Sequence, residues 1–385
     1  MSFDIKSSDN VVEEVEVLPI VPNRPKRPRR YLSNIMRHWM TVSFIFGFVI
    51  DNLTLNRVDE WFDNFVLASY VVLAFISIVL LYASVAEKLP EKITPLGRKY
   101  LPLLVQFSFG GLLSGMLIFY GRSGAWLQSW PFLLIILLAI YGNETIKDRS
   151  SRLIYNLAIF FVGLMAYMVL LIPVLTGHMG AWIFIGSGLL ALFIMYFCIQ
   201  FLYRIIPRFM DMQMRAIVLT VGGIYMTFNF LYFTNIIPPI PLSLKELGVY
   251  HSVVRFENGT YQLKWVENDW WQPFRQSDKI FYPKLATDVY CFASVFAPTK
   301  LNTDIFHRWE YKNNDGDWVE HAYIQYKING GSSNGYRGYS QVSNYQAGKW
   351  RCSVETERGQ VLGREVFEIA NIGASPDKPL EIRIE

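Results

Sequence analysis

The sequence predicts a membrane α-helical bundle of about seven transmembrane helices, followed by an all-β, immunoglobulin-like sandwich domain. Long apolar segments fill the first part of the chain, a proline-rich segment ends them, and an alternating apolar pattern follows. The 385 residues are 52% hydrophobic and only 18% charged, whereas a soluble protein carries about a quarter charged residues. Residues 245–385 nevertheless hold 17 Lys and Arg and 18 Asp and Glu, so the apolar excess lies upstream.

The N-terminal residues 1–37 are polar and contain a basic run from Asn23 to Arg30. They indicate a disordered cytoplasmic arm without a cleavable signal peptide, so the first membrane helix is expected to direct insertion. A basic run can also bind nucleic acid. Beside a membrane helix, however, Lys and Arg resist translocation, which favours a topological anchor and no nucleic-acid partner.

Residues 38–237 are predicted to form the transmembrane domain. A bilayer core requires about 20 apolar residues in helical form, because lipid cannot hydrogen bond to exposed peptide groups. The first and the fourth predicted helices are short and carry polar residues near one end. The segments are Trp39–Leu55, Phe65–Val85, Tyr100–Tyr120, Ala125–Tyr141, Leu153–Leu175, Ala181–Tyr203 and Ala216–Ile236.

Loop charge predicts the orientation of these helices. Lys and Arg are concentrated in the N-terminal arm and in the loops after the second, fourth and sixth helices, whereas the opposite loops contain only Arg57 and Arg122. Positively charged loops stay in the cytoplasm. An odd number of crossings therefore places the N-terminus in the cytoplasm and the C-terminal domain in the periplasm or outside the cell.

Residues 238–247 are predicted to be a proline-rich linker, because proline lacks an N–H group and ends the last helix. Beyond it, residues 248–385 alternate as β-strands do, and Asn258-Gly259 indicates a hairpin turn. About eight short strands at this spacing predict the β-sandwich. They are His251–Glu257, Thr260–Val266, Asp288–Ala297, Asp304–Lys312, Trp318–Ile328, Tyr339–Asn344, Lys349–Glu357 and Val361–Ile369.

Two cysteines lie on predicted strands of this domain. Alternation places Cys291 and Cys352 on the inward faces of their strands. Two interpretations stay open at this point: a buried disulfide across the sandwich, or two free thiols that pack as small apolar groups.

Short motifs in both halves of the chain are similar to those of a known family. In the tail they are Val295-Phe296-Ala297-Pro298, His307-Arg308-Trp309, Gly335-Tyr336-Arg337, Gly348-Lys349-Trp350-Arg351 and Gly363-Arg364. In the membrane half they are Phe107-Ser108-Phe109-Gly110-Gly111 through Ser114, Asn143-Glu144, and Ile240-Pro241-Leu242 leading to His251. The chain thereby resembles multi-pass members of the bacterial family known as domain of unknown function 2914. The resemblance implies a bacterial inner-membrane location and assigns no reaction and no catalytic residue.

Motifs of the common enzyme classes are absent from the sequence. It contains no phosphate-binding loop, dinucleotide glycine fingerprint, HExxH zinc helix or G-x-S-x-G elbow. The five histidines show no metal-ligand spacing, so neither a metal site nor a cofactor is expected. A non-enzymatic role is therefore favoured over an enzymatic one.

Polar residues inside predicted membrane helices are candidate functional groups, because an unpaired charge in the membrane costs several kcal/mol. Asp51 lies toward the outer end of the first helix, and Asn143 and Glu144 lie at the inner end of the fourth. One interpretation is a proton- or ion-coupled site. The favoured alternative is that these residues cap helices or reach the lipid headgroups.

Aromatic residues of the C-terminal domain form a second candidate site. A ligand platform is predicted with Arg337 as the donor to an anion. The alternative is that the rings fill the core or contact the membrane surface. The residues are Trp270, Trp271, His307, Trp309, Tyr336, Arg337 and Tyr339.

These observations lead to two function hypotheses. The first is an inner-membrane protein whose periplasmic β-sandwich binds an envelope protein, glycan or lipid. The second is a transporter or membrane-embedded enzyme with a site near Asp51 or Glu144. The lipid bilayer is the one partner common to both, and the sequence specifies no oligomeric state.

Overall fold

The helices precede the strands, as the apolar patterning predicts. The computed structural model describes residues 48–90, 94–123, 126–145, 152–267, 275–283, 287–298, 301–329, 335–371, 373 and 379–385. Helix α1 is described over residues 48–54. The other helices are α2 (Trp61–Val85), α3 (Thr94–Arg122), α4 (Trp126–Thr145), α5 (Leu153–Thr176), α6 (Ala181–Ile205) and α7 (Pro207–Phe233).

Five of the described helices, α2, α3, α5, α6 and α7, are long and apolar enough to cross a membrane by length and composition. The apolar stretch of α4 is shorter and covers Ser129–Thr145. Helix α7 begins before the predicted start at Ala216, because Pro207 at its first position has no N–H group that needs a partner. Arg208 and Arg215 therefore lie within α7 and not in a loop.

Helix α5 occupies the centre of the bundle and packs against α2, α3, α6 and α7. Close approach elsewhere depends on small residues. On α3, a Cβ atom added at Gly111 would lie 2.5 Å from Cζ of Tyr70 on α2. Glycine at this position therefore lets the two helices pack directly against each other.

The β-domain begins earlier than predicted. Strand β1 starts at Ser243, inside the segment 238–247 that the sequence predicts as a linker. A register shift between Leu244 and Glu246 interrupts its alternation, which hides the strand in the sequence. The strands are β1 (Ser243–Tyr250), β2 (Ser252–Arg255), β3 (Tyr261–Val266), β4 (Ile280–Phe281), β5 (Val289–Phe296), β6 (Asn302–Lys312), β7 (Trp318–Asn329), β8 (Tyr336–Val342), β9 (Gly348–Thr356), β10 (Val361–Ile369) and β11 (Leu380–Ile384).

The strands form three sheets, which we call the central, five-stranded and outer sheets. Their orders are β1-β5-β8, β4-β10-β9-β6-β7 and β11-β3-β2. The central and five-stranded sheets form the immunoglobulin-like sandwich. Cys291 on β5 packs with Trp309 and Trp350 between these two sheets. The next residue, Phe292, packs with Trp265 of the outer sheet, so the central sheet is covered on both faces.

The turn between β9 and β10 connects the β-domain to the helices. We call residues 356–360 the docking turn. The Arg358 guanidinium carbon lies 4.0 Å from the ring centre of Tyr232 on α7. The side-chain amide of Gln360 donates a hydrogen bond to the backbone carbonyl of Ile237, with a nitrogen–oxygen distance of 3.1 Å. The sandwich is thus fixed on the end of α7.

Candidate functional site

A groove of about 1050 Å³ lies between the helices and the β-domain, within the compact unit formed by residues 44–385. Helices α1, α3 and α4 contribute to one side, and strands β1, β5 and β10 contribute to the other. We call this cleft the interface groove and divide it into an apolar part and a basic part, which are defined below.

The apolar part of the groove comes from the helices and consists of Phe48, Leu117, Leu133 and Leu137. These residues lie inside their helices and not at the ends that face the β-domain. Leu117, for example, precedes Arg122 on α3 by about 7.5 Å of helical rise. The apolar part therefore extends the groove along the helices and away from the β-domain.

The basic part consists of Arg57, Arg122, Lys245 and Arg364. Arg122 donates a hydrogen bond to the backbone carbonyl of Leu55 at 2.7 Å. Arg364 donates a hydrogen bond to the hydroxyl oxygen of Ser353 at 2.8 Å. Carboxylates also act on both groups, Asp63 on Arg122 and Glu310 and Glu355 on Arg364.

Arg57 and Lys245 approach each other across the ring of Phe296. The distances to the ring centre are 5.0 Å from the Arg57 guanidinium carbon and 5.7 Å from the Lys245 ammonium nitrogen. Asp59 pairs with Arg57 at 2.9 Å. Burial and the positive charges of Arg57 and Arg337 lower the pKa of Lys245. A bound anion would relieve this repulsion between cations.

Two carboxylates, Glu246 and Glu365, also line the groove. Each forms a close ion pair with an arginine of the β-domain, Glu246 with Arg383 and Glu365 with Arg275. Burial raises the pKa of Glu365, and the charge of Arg275 opposes this change. Both arginines line an adjoining cavity of about 510 Å³, which continues the groove along β1. The charge of the groove is therefore positive in balance.

The chain segment that carries Arg57 is held in place by a buried carboxylate. Asp63, in the first turn of α2, accepts hydrogen bonds from the backbone N–H groups of Asn56 at 2.8 Å and Arg57 at 3.0 Å. A carboxylate near a helix N-terminus also interacts favourably with the helix dipole. The basic part of the groove is thus preorganised between α1 and α2.

The polar residues predicted to lie inside the membrane, Asp51, Asn143 and Glu144, all form hydrogen bonds with residues of helix α3. The Ser114 hydroxyl donates a hydrogen bond to Asp51 at 2.5 Å. The side-chain amide of Gln106 donates to Glu144 at 3.2 Å, and the Asn143 amide donates to the Gln106 backbone carbonyl at 3.1 Å. Ser114 and Gln106 are separated by about 12 Å of helical rise. The two acids are therefore closer in the bundle than their helix-end positions in the sequence indicate.

The prediction that His307 and Trp309 belong to an aromatic ligand surface is wrong. Both are fully buried, because their inward positions on β6 alternate with the outward position of Arg308. The Ser340 hydroxyl oxygen accepts a hydrogen bond from the Trp309 indole at 2.9 Å and lies 2.8 Å from Nδ1 of His307. Burial lowers the pKa of His307 to about 3. These two side chains belong to the core.

The other members of the predicted aromatic surface lie on β8 or outside the described residues. Tyr336 and Arg337 are half-buried, and Tyr339 is exposed. Trp270 and Trp271 lie outside the residues that the structure describes. Among the described members, a ligand surface could therefore use β8 alone.

The two cysteines of the β-domain are bonded to each other. The Cys291–Cys352 disulfide joins β5 of the central sheet to β9 of the five-stranded sheet, with a sulfur–sulfur distance of 2.11 Å. Both residues are fully buried. Of the two interpretations of these residues, the structure thus contains the disulfide.

Sequence reasoning missed the groove as a site, although part of its signal was visible. Arg57 and Arg122 are the exceptional cations of the predicted outer loops, which otherwise contain no Lys or Arg. Lys245 and Arg364 had no such signal, because they lie in ordinary charged strands far apart in the chain. Only the packing of β1 and β10 against the helix ends brings the four cations together.

Comparisons with known proteins support the C-terminal part of the family resemblance. The family described as a protein of unknown function, DUF2914, matches residues 302–369, which correspond to strands β6 to β10. The helical part of the resemblance is supported only by the presence of the apolar helices. No curated protein matches the chain significantly.

Two solved structures resemble parts of the chain. An immunoglobulin-like protein from Pseudomonas aeruginosa is 12% identical, and the match covers 32% of this chain and 97% of that chain with a TM-score of 0.20. An alkylpurine DNA glycosylase from Pseudomonas fluorescens, bound to DNA containing an abasic site analogue, is 10% identical, with 82% of this chain and 100% of that chain covered and a TM-score of 0.21. Likenesses at these TM-scores carry no argument about function.

Proposed function

We propose that this chain is a bacterial inner-membrane protein that binds an anionic lipid of the cell envelope in the interface groove. The proposal depends on one observation: a single groove combines apolar helix side chains with an excess of cations from the helix ends and the β-domain. An anionic lipid has the same two chemical parts, an acyl chain and a charged headgroup. The β-domain is accordingly proposed to be extracytoplasmic and to close over the headgroup.

The apolar part of the groove suits an acyl chain. Phe48, Leu117, Leu133 and Leu137 come from helices of the bundle, so a chain lying along them stays continuous with the hydrocarbon of the bilayer. Each methylene buried there contributes about 0.8 kcal/mol. A free sugar or a hydrophilic peptide would leave this surface without a suitable partner, which favours a lipid over those ligands.

The basic part of the groove suits a phosphate or carboxylate headgroup. Arg122 and Arg364 contribute guanidinium groups to the lining of the groove, and Lys245 lies near the positive charges of Arg57 and Arg337. Hydrogen bonds between such groups and an anion are about twice as strong as neutral ones. In the proposed orientation the groove lies on the outer side of the membrane, where Arg57 and Arg122 are the exceptional loop cations.

Lipid binding to the full chain tests this proposal. The protein, purified in detergent, is titrated with phosphatidylglycerol or with phosphatidylcholine, and bound lipid is counted by native mass spectrometry. We expect stronger binding of the anionic lipid. Lys245→Gln is expected to weaken phosphatidylglycerol binding by about tenfold, which corresponds to the loss of one charge-assisted contact.

Lys312→Gln is the matched control, because Lys312 is exposed at the end of β6 and does not line the groove. It makes the same charge change and is expected to leave binding unchanged. Equal binding of both lipids, with no difference between the two variants, would overturn the proposal. A protein or glycan partner would then be the remaining form of the binding hypothesis.

A transporter or membrane-embedded enzyme is the second candidate. It is favoured by the hydrogen bonds that join both Asp51 and Glu144 to side chains of α3. Under this alternative, Asp51→Asn and Glu144→Gln abolish function. Under lipid binding in the groove, neither substitution changes the affinity for phosphatidylglycerol, because neither carboxylate is part of the basic region. The same titration therefore separates the two hypotheses.

A further inference from the structure

A sulfur- and nitrogen-containing cluster lies in the core of the sandwich, away from the interface groove. It consists of Cys291 on β5, His307 on β6 and Cys352 on β9. One ligand atom from each residue lies within 4.8 Å of the other two, and all three residues are fully buried. The cysteines are separated by 61 positions in the chain, so the spacing of residues in the sequence gives no sign of this cluster.

Only one of the two ring nitrogens of His307 has a hydrogen-bond partner among the described residues. Its Nδ1 atom lies 2.8 Å from the Ser340 hydroxyl oxygen. Its Nε2 atom is buried and has no hydrogen-bond partner among the described residues. A buried polar atom without a partner destabilises the folded protein. Nε2 is therefore the ring nitrogen that is left for a further ligand.

We propose that Cys291, Cys352 and His307 bind a zinc-like divalent ion when the disulfide is reduced. A dithiol reductant breaks the sulfur–sulfur bond, both cysteines become thiols, and the reductant forms its own disulfide. The metal ion then binds both sulfur atoms and Nε2, and the two thiol protons leave to solvent. The buried group is neutral, since two thiolates balance one divalent cation.

The chemistry of the donors selects the class of metal. Two thiolates and one imidazole are ligands of zinc and related soft ions, whereas calcium and magnesium require oxygen ligands. A histidine that binds a metal commonly donates its other ring N–H to a neighbouring oxygen, which fixes the ring. Ser340 occupies that position beside Nδ1. The cluster thus contains both the ligands and the group that orients one of them.

The test uses the full chain in detergent with Cys198→Ala, which removes the one other cysteine. The protein is reduced, exposed to cobalt(II) or zinc(II), and freed of excess metal. We expect stoichiometric metal in the reduced protein, a thiolate-to-cobalt charge-transfer band, and no metal in the oxidised protein. Ser340→Ala is expected to lower the affinity by about 10- to 100-fold.

Ser353→Ala is the control, because Ser353 follows Cys352 on β9 and faces away from the cluster toward Arg364. It is expected to leave metal affinity unchanged. Alkylation of the reduced Cys198→Ala protein provides a readout that needs no change in the cluster: zinc should protect both thiols, and a chelator should expose them. Equal alkylation with and without zinc, or metal uptake that His307→Gln leaves unchanged, would overturn the proposal.

Discussion

The contact between the helices and the β-domain has two sides that differ in packing. At the docking turn the surfaces are joined by Arg358 over Tyr232 and by the hydrogen bond from Gln360, and the cavity beside them is only about 70 Å³. At the interface groove the surfaces are separated by a cleft of about 1050 Å³. One interface thus contains a closed side and an open side.

The difference shows how one contact can both position a domain and leave a binding space. The closed side uses a hydrogen bond from a neutral amide and an aromatic–cation contact. The open side places four cations and two carboxylates around one cleft. We therefore expect changes on the closed side to alter stability and changes on the open side to alter ligand affinity.

The largest expected effect is on the closed side. Arg358→Ala removes the contact with Tyr232 and a second one with the ring of Phe233, at 4.0 and 5.6 Å from the respective ring centres. A desolvated cation–π contact contributes about 2 kcal/mol. Thermal unfolding of the full chain in detergent should show a corresponding loss, smaller for Arg358→Lys. Unchanged stability, or loss of lipid binding at equal stability, would contradict the division into two sides.

The second-largest effect is expected from ionic strength, which should weaken lipid binding at the open side more than it changes stability at the closed side. Raising the salt concentration from about 0.15 M to 1 M shortens the screening length from about 8 Å to 3 Å. We expect phosphatidylglycerol binding in the open groove to weaken by about tenfold. The stability difference between wild type and Arg358→Ala should change less, because Tyr232 is buried and Arg358 is half-buried. A salt-independent affinity would show that the cations do not bind the headgroup.

The smallest expected effect concerns pH and Glu365. Burial raises the pKa of this carboxyl group. As the pH falls, Glu365 therefore accepts a proton at a higher pH than an ordinary glutamate does, and the groove loses one negative charge. Anionic lipid should then bind more tightly. The proton is also held more strongly in the folded protein, so its stabilising contribution is present at low pH and is lost as the pH rises through the raised pKa.

Glu365→Gln imitates the protonated state at every pH. It should raise phosphatidylglycerol affinity at neutral pH by about threefold, the size of a partly exposed charge interaction, and flatten the pH dependence. Lipid titrations at several pH values measure both the affinity and its pH dependence. A variant that keeps the wild-type pH dependence would assign that dependence to another group.

The fold was predictable wherever the apolar pattern is local. Helix α5 occupies nearly its predicted position because its apolar run is long and continuous. Strand β3 does so because its buried residues alternate regularly. Strand β1 was missed because of its register shift, and β4 because it has only 2 residues. Strand β11 was missed although its apolar residues, Leu380, Ile382 and Ile384, alternate; it has only 5 residues, and all three of these side chains are exposed.

The sites were less predictable, because they depend on which strands and helices meet. Alternation identified Cys291 and Cys352 as inward residues, and the same rule applied to β6 would have placed His307 in the core beside them. The groove joins residues from α1 to β10. No local pattern links Arg57 to Arg364, and only tertiary packing does so.

The central sheet has a consequence for the order of folding. Its strands β1, β5 and β8 come from distant parts of the chain, between Ser243 and Val342. Bringing such distant strands together requires the closure of long loops, which slows folding. Until β8 arrives, β5 has two apolar faces and an unpaired edge, the kind of segment that aggregates or attracts chaperones. Newly made chains should therefore depend most on such assistance before residue 342 has emerged.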